Sequence, residues 1–120
     1  MHNYLVIGMA TMDLNLSNAM IDEIGDLFRA LGDSSRLKIL KCLLAKEQPL
    51  SQGSLAEATG LSQANASKHL ACMVRVGLVT REAKGNTVYF SPTLPLAKDL
   101  CNLVCGHVTD RTTKAYHALR

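Results

Sequence analysis

Hydrophobic residues recur along this chain at helical spacing, switch to alternation, and then return to helical spacing. Met20, Ile24, Leu27, Phe28 and Leu31 fall on one side of a helix drawn from Ser17 to Leu31, and Gly32 supplies its stop. Asp33 can cap a second helix with a wide apolar face of Leu37, Ile39, Leu40, Leu43 and Leu44, and Pro49 ends any continuation. Ser51 and Ser62 can cap two further helices, ending at Ala58 and near Val76, with Gly60 in the sharp turn between them. Beyond Gly77 the period becomes two. Leu78 to Thr80 and Thr87 to Phe90 flank the KGN of residues 84–86, whose Gly and Asn suit the positive φ of a tight hairpin. Pro92 and Pro95 interrupt the chain before Leu96, Leu100, Leu103, Val104 and Val108 mark a last long helix.

The stretch from Leu50 to Phe90 therefore reads as two capped helices around a turn, followed by a two-stranded ribbon. That order predicts a mostly α domain with a β-hairpin wing, a winged helix-turn-helix, and points to DNA as its partner. The second helix of such a pair must offer short or planar polar side chains to base edges. Ser62, Gln63, Asn65, Ser67, Lys68 and His69 meet that need. Gln63 and Asn65 suit bidentate contact with adenine, Ser67 is adaptable, and Lys68 and His69 suit guanine or phosphate. Ala66, Leu70 and Met73 on the other side would seat the helix on the core. In the wing, Arg81, Lys84, Asn86 and Thr87 are candidates for phosphates or the adjoining minor groove. Taken singly, each of these is equally well an ordinary solvated position; the combination is what points to DNA.

Composition narrows the picture further. The 120 residues are one domain's worth, and 48% hydrophobic content with 4% aromatic residues and no Trp calls for a core of Leu, Ile, Val, Ala and Met. The net charge of +3 hides an asymmetry: residues 61–120 carry eight Lys and Arg against three Asp and Glu, whereas residues 1–60 carry five against seven. The basic half holds the proposed recognition helix and wing, as a phosphate-binding surface requires. No apolar run reaches the roughly 18 residues of a membrane span. The segment YLVIGMA near the start lacks the positive flank and cleavage site of a secretory leader, so a cytoplasmic location is expected. No nucleotide-binding loop and no nucleophile and base pair argue for an enzyme. A winged-helix protein-interaction module without DNA binding is the rival class, and Lys68, Arg81 and Lys84 speak against it.

LFRALGDSSRLKILKCLL, followed by LAEATGLSQANASKHLACMVRVGLVTREAKGNTVYF, resembles the ArsR/SmtB family of bacterial winged-helix repressors. The likeness runs from Leu27 to Phe90 and continues more weakly through the last helix. Ser34 stands where the family usually has Pro at the start of the second helix. The resemblance implies a homodimer built on the first and last helices, released from operator DNA when an inducer binds. Two-fold symmetry would also double the contacts on a palindrome, with half-sites spaced by roughly 34 Å or a multiple. On this reading residues 1–15 are an N-terminal extension, residues 16–110 the winged helix-turn-helix domain with its dimerisation helices, and residues 111–120 a C-terminal tail.

The four cysteines lack the tight spacing of a disulfide framework and are read as thiols, ligands or core residues. Cys101 and Cys105, four apart, share one edge of the last helix. With Cys72 or Cys42 as a third thiolate they would suit a soft metal or metalloid inducer: arsenite, antimonite, mercury, cadmium or lead. A position similar to Cys72 supplies a thiolate in the cadmium- and lead-sensing branch of the family, whose second Cys would fall at Val76. The family's arsenic-type cysteine cluster is missing between Gln52 and Leu55. Its zinc-type site on the last helix is half present, in His107 and Asp110, with Leu94 and Leu96 at the proximal positions. The alternative chemistry is thiol-redox or reactive-sulfur sensing, in which the resemblance favours Cys42 with Cys105. A third reading leaves all four as incidental, partly buried cysteines.

Overall fold

The computed structural model describes residues 4–7, 10–13 and 15–118. An antiparallel hairpin of β1 (Tyr4–Ile7) and β2 (Ala10–Asp13) lies in the N-terminal extension, where the sequence has no clear period. Side-chain caps then set where the next helices begin. The Ser17 hydroxyl accepts from the Met20 N–H at 3.2 Å and opens α1 (Asn18–Leu31). Asp33 accepts from the Arg36 N–H at 3.1 Å and opens α2 (Ser34–Lys46). After the two-residue strand β3 (Leu50–Ser51), Ser51 caps α3 (Gln52–Thr59) through the Ser54 N–H. Ser62 caps α4 (Gln63–Arg75) through the Asn65 N–H. Each cap contributes about 1 kcal/mol; Asp33, Ser51 and Ser62 are the caps that the sequence nominates, and Ser17, which it gives only as the start of the first helix, is a fourth. Gly60, with φ 74°, ends α3 in the left-handed conformation that a side chain disfavours.

The wing consists of β4 (Val79–Lys84) and β5 (Thr87–Pro92), paired from Val79 with Pro92 to Lys84 with Thr87. Its two-residue loop places Gly85 at φ 62°, whereas Asn86 does not take a positive φ. The expectation that both would do so is corrected: glycine at the first central position alone lets the loop follow the twist of the strands. β3 joins the sheet on the other edge of β5, with Leu50 opposite Phe90 and Ser51 opposite Tyr89. A two-residue strand carries no period, so pattern reading passes over it. The last helix, α5 (Leu96–Ala118), continues through residues 111–118.

One core joins these elements. It contains Ile39, Leu40 and Leu43 of α2, Leu55 of α3, Leu70 and Met73 of α4, Leu78, Val79 and Phe90 at the base of the wing, and Ala97 of α5. Leu37, predicted on the apolar face of α2, is 43% exposed. At 100° per residue it lies about 160° from Ile39 and about 120° from Leu43, off the buried stripe. The apolar faces of α1 and α5 also stay outside. Met20, Ile21, Ile24 and Phe28 on α1 and Leu103, Val104 and Val108 on α5 are exposed, with Phe28 at 59% and Leu103 at 74%. Among the described residues no helix is long and apolar enough to cross a membrane.

Leu43 is fully buried. Leu43→Ala is expected to lower unfolding stability by about 2–5 kcal/mol, read from urea denaturation. A loss below about 1 kcal/mol would mean that the core collapses around the gap.

Candidate nucleic-acid interface

Helix α4 has two faces because its apolar residues repeat at helical spacing. Ala66, Leu70 and Met73 are buried, while Ser62, Gln63, Asn65, Ser67 and Lys68 are exposed. Gly60 turns the chain sharply between α3 and α4, and the Leu61 N–H donates to the Ala56 carbonyl at 3.1 Å. The start of α4, where short polar side chains can approach a base edge, therefore points away from the core. The wing residues Arg81, Lys84, Asn86 and Thr87 are likewise exposed. Arg81 pairs in register with Phe90, whose ring is buried at the base of the wing.

His69 differs from the other expected groove residues. It flanks the buried stripe of α4, is half-buried, and lies with Nδ1 3.3 Å from Nη1 of Arg36. Since a guanidinium only donates, Nδ1 of His69 is the acceptor in this contact. Arg36 also donates from Nε to the Ala30 carbonyl at 2.7 Å and from Nη2 to the Arg29 carbonyl at 3.2 Å. One side chain on α2 thus satisfies two carbonyls at the end of α1 and braces the back of α4. Nothing in the local pattern around Arg36 signals this role, because its partners are six, seven and thirty-three residues away.

Beside it, the Arg36 N–H holds the Asp33 carboxyl below its ordinary value of 3.8; partial burial opposes the shift, and the charges of Arg36 and His69 and the Ser35 N–H add to it.

Two further polar residues belong to this surface although the sequence reading left them out. Gln52, at the start of α3, donates from Nε2 to the side-chain oxygen and the main-chain carbonyl of Gln63, each at 3.3 Å. Arg75 lies on the exposed side of α4 and donates from Nη2 to the Cys72 sulfur at 3.8 Å. Gln52, Ser67, Arg75 and Arg81 line a cleft of about 410 Å³ between the two helices and the wing. Arg75 and Arg81 approach this cleft from different elements and give it a positive rim.

Comparison with known proteins agrees with this geometry. Residues 33–81 match the family described as bacterial regulatory protein, arsR family. Over 98 residues, 82% of this chain and 84% of the relative, the sequence is 32% identical to the transcriptional activator HlyU of Vibrio cholerae. The chain belongs to the ArsR family. This ArsR-family chain is also 35% identical to a probable mercury resistance operon repressor of Streptomyces lividans, over 82 residues that span 68% of this chain and 64% of the repressor. Its fold is similar to the solution structure of the homodimeric winged helix-turn-helix DNA-binding domain of Mb0332 from Mycobacterium bovis, a possible ArsR-family regulator. That likeness has a TM-score of 0.71 at 26% identity and covers 87% of this chain and 96% of the other. The named relatives regulate transcription and are not enzymes.

The cysteines of this ArsR-family chain do not converge. Cys42, Cys72 and Cys101 are half-buried and pack against the core from α2, α4 and α5, whereas Cys105 is exposed. Burial pushes the Cys101 thiol above its ordinary value, and the neighbouring Cys105 adds to the rise. Among the described residues no group of three or more His, Cys, Asp or Glu side chains is disposed to hold one metal ion. Cys101 and Cys105 lie one helical turn apart on α5. His107 and Asp110 are both exposed, and Asp110 pairs with Lys114 at 3.3 Å.

The lowered pKa of Asp33 has a definite sign. Its carboxylate stabilises the fold above the ordinary 3.8, and that contribution is lost as the pH falls through the lower folded value. The stability penalty of Asp33→Ala is therefore expected to be full near neutrality and to shrink in acid, by denaturation at a series of pH values. A penalty unchanged down to about pH 2 would remove the carboxylate charge from the cap.

Proposed function

We propose that this ArsR-family protein is a cytoplasmic repressor that binds a palindromic operator as a homodimer and lets go when thiols of α5 capture a soft metal or metalloid ion. The observation that carries the DNA half is the division of α4 into a buried apolar rear and an exposed polar front beside a basic wing. Gln63 and Asn65 read bases, with Ser62 and Ser67 adapting to their neighbours. Lys68, Arg81 and Lys84 neutralise phosphates, and Asn86 and Thr87 at the wing tip meet the backbone or minor groove. His69 acts from behind the helix, through Arg36.

The dimer is supported by the side chains that a lone chain leaves in water. Met20, Ile21, Ile24 and Phe28 on α1, and Leu103, Val104 and Val108 on α5, are apolar and exposed. A second copy would cover them. The homodimeric Mycobacterium bovis relative is consistent with this. Two copies of α4 would then address half-sites spaced by roughly 34 Å or a multiple.

The inducer half rests on Cys101 and Cys105, one helical turn apart beside that apolar face. Two sulfurs suit a soft ion of low coordination number, so mercury needs least from the rest of the protein. Arsenite, antimonite, cadmium or lead would need a further thiolate, from Cys72, Cys42 or a second copy. The mercury resistance repressor among the relatives supports the same class of ion. Capture at the dimer helix would shift the spacing of the two α4 helices and weaken DNA binding.

Lys68→Ala is expected to weaken binding nearly uniformly across sequences and to reduce the slope of log affinity against log salt by about one. An unchanged slope, measured by fluorescence anisotropy, would take Lys68 off the phosphate surface.

Titrating the reduced protein with mercury(II) should produce thiolate-to-metal absorption and release DNA, and Cys101→Ser or Cys105→Ser should abolish both. Because these thiols must lose their protons to bind, and Cys101 is pushed up, apparent affinity should rise with pH, by up to about tenfold per unit for each proton released. Absence of the absorption band together with an intact DNA complex would refute metal sensing. A Cys42–Cys105 crosslink after peroxide, without a metal response, would favour the redox alternative.

A further inference from the structure

We propose that Gln52 is a specificity-determining positioning residue, which from the first position of α3 holds the Gln63 amide in the one orientation that reads adenine. The proposal rests on the base-reading role given to Gln63 above. Gln52 is half-buried, whereas Gln63 is exposed at the start of α4. A lone glutamine there would be free to rotate and to present either its oxygen or its nitrogen to a base edge. Gln52 removes that freedom. Its Nε2 donates to the main-chain carbonyl of Gln63 and to the side-chain Oε1, each at 3.3 Å. The carbonyl is part of the helix and fixes Gln52; Gln52 in turn fixes the amide.

With a donor against it, Oε1 must face Gln52. Nε2 then lies beside Gly53, where an added Cβ would sit 3.5 Å from it, an ordinary contact distance. Oε1 keeps a second lone pair for the adenine N6 amino group, and Nε2 keeps a proton for N7. Donor and acceptor are thus set in the order adenine requires before DNA arrives, which lowers the ordering cost of binding.

The test is selection of the full-length wild type, Gln52→Ala, Gln52→Glu and Gln63→Ala proteins against a randomised duplex DNA library, with thermal midpoints measured alongside. Gln63→Ala should lose a preference for adenine at one position of each half-site, by roughly tenfold. Gln52→Ala should lose most of that preference at the same position, with other positions and the thermal midpoint unchanged. Gln52→Glu offers an acceptor in place of the donor; it should turn the Gln63 amide around and change the base preferred there. Gln52 variants that retain the Gln63-dependent preference, or that weaken all positions alike, would overturn the positioning role. A Gln63→Ala protein with unaltered preferences would overturn the base-reading role itself, and the proposal with it.

Discussion

The seating of α4 on α2 is the constraint from which the rest of the architecture follows. Leu70 and Met73 share a core with Ile39, Leu40 and Leu43, and no buried polar side chain interrupts it among the described residues. Burial of this kind has no direction of its own, so it fixes which face of α4 is hidden but not how the helix is rotated in detail. Directional contacts supply the rest. Arg36 ties the back of α4 to α2 and to the end of α1, and Gln52 ties its front to α3. The wing is held to the same frame by β3, which pairs β5 just before α3 begins.

This arrangement separates two surfaces with different chemistry. One is polar and basic and is formed by the start of α4, the cleft rimmed by Arg75 and Arg81, and the wing. The other is apolar and is formed by α1 and α5. A core that already buries its own residues cannot fold these outer side chains inward, so covering them requires another molecule. The proposed sensing thiols stand on the second surface while the proposed DNA contacts stand on the first. Signal would therefore pass through a change in how two copies are held, not through melting of the reading helix.

Local features of the fold were legible in the sequence. Asp33, Ser51 and Ser62 each cap the helix that follows, because an N-cap oxygen and the N–H that donates to it lie within three residues. The apolar rear of α4 was legible for the same reason, since helical period is a local signal. What escaped was non-local. The contact between His69 and Arg36 leaves no mark near either residue in the sequence. Nor does the sequence signal the contact of Gln52 with Gln63, eleven positions away. The thiols are the extreme case. Spacing pairs Cys101 with Cys105, but the third ligand of any metal site depends on how elements or whole copies are brought together, which no linear pattern encodes.

Chemical shifts of backbone amides during titration with a DNA duplex that the protein retains from a random library test the central claim most directly. The account predicts that the largest changes fall on residues 62–68 of the turn and α4 and on residues 81–87 of the wing, with α1 and α5 little affected. Changes concentrated on α1 and α5, with residues 62–68 unmoved, would contradict it.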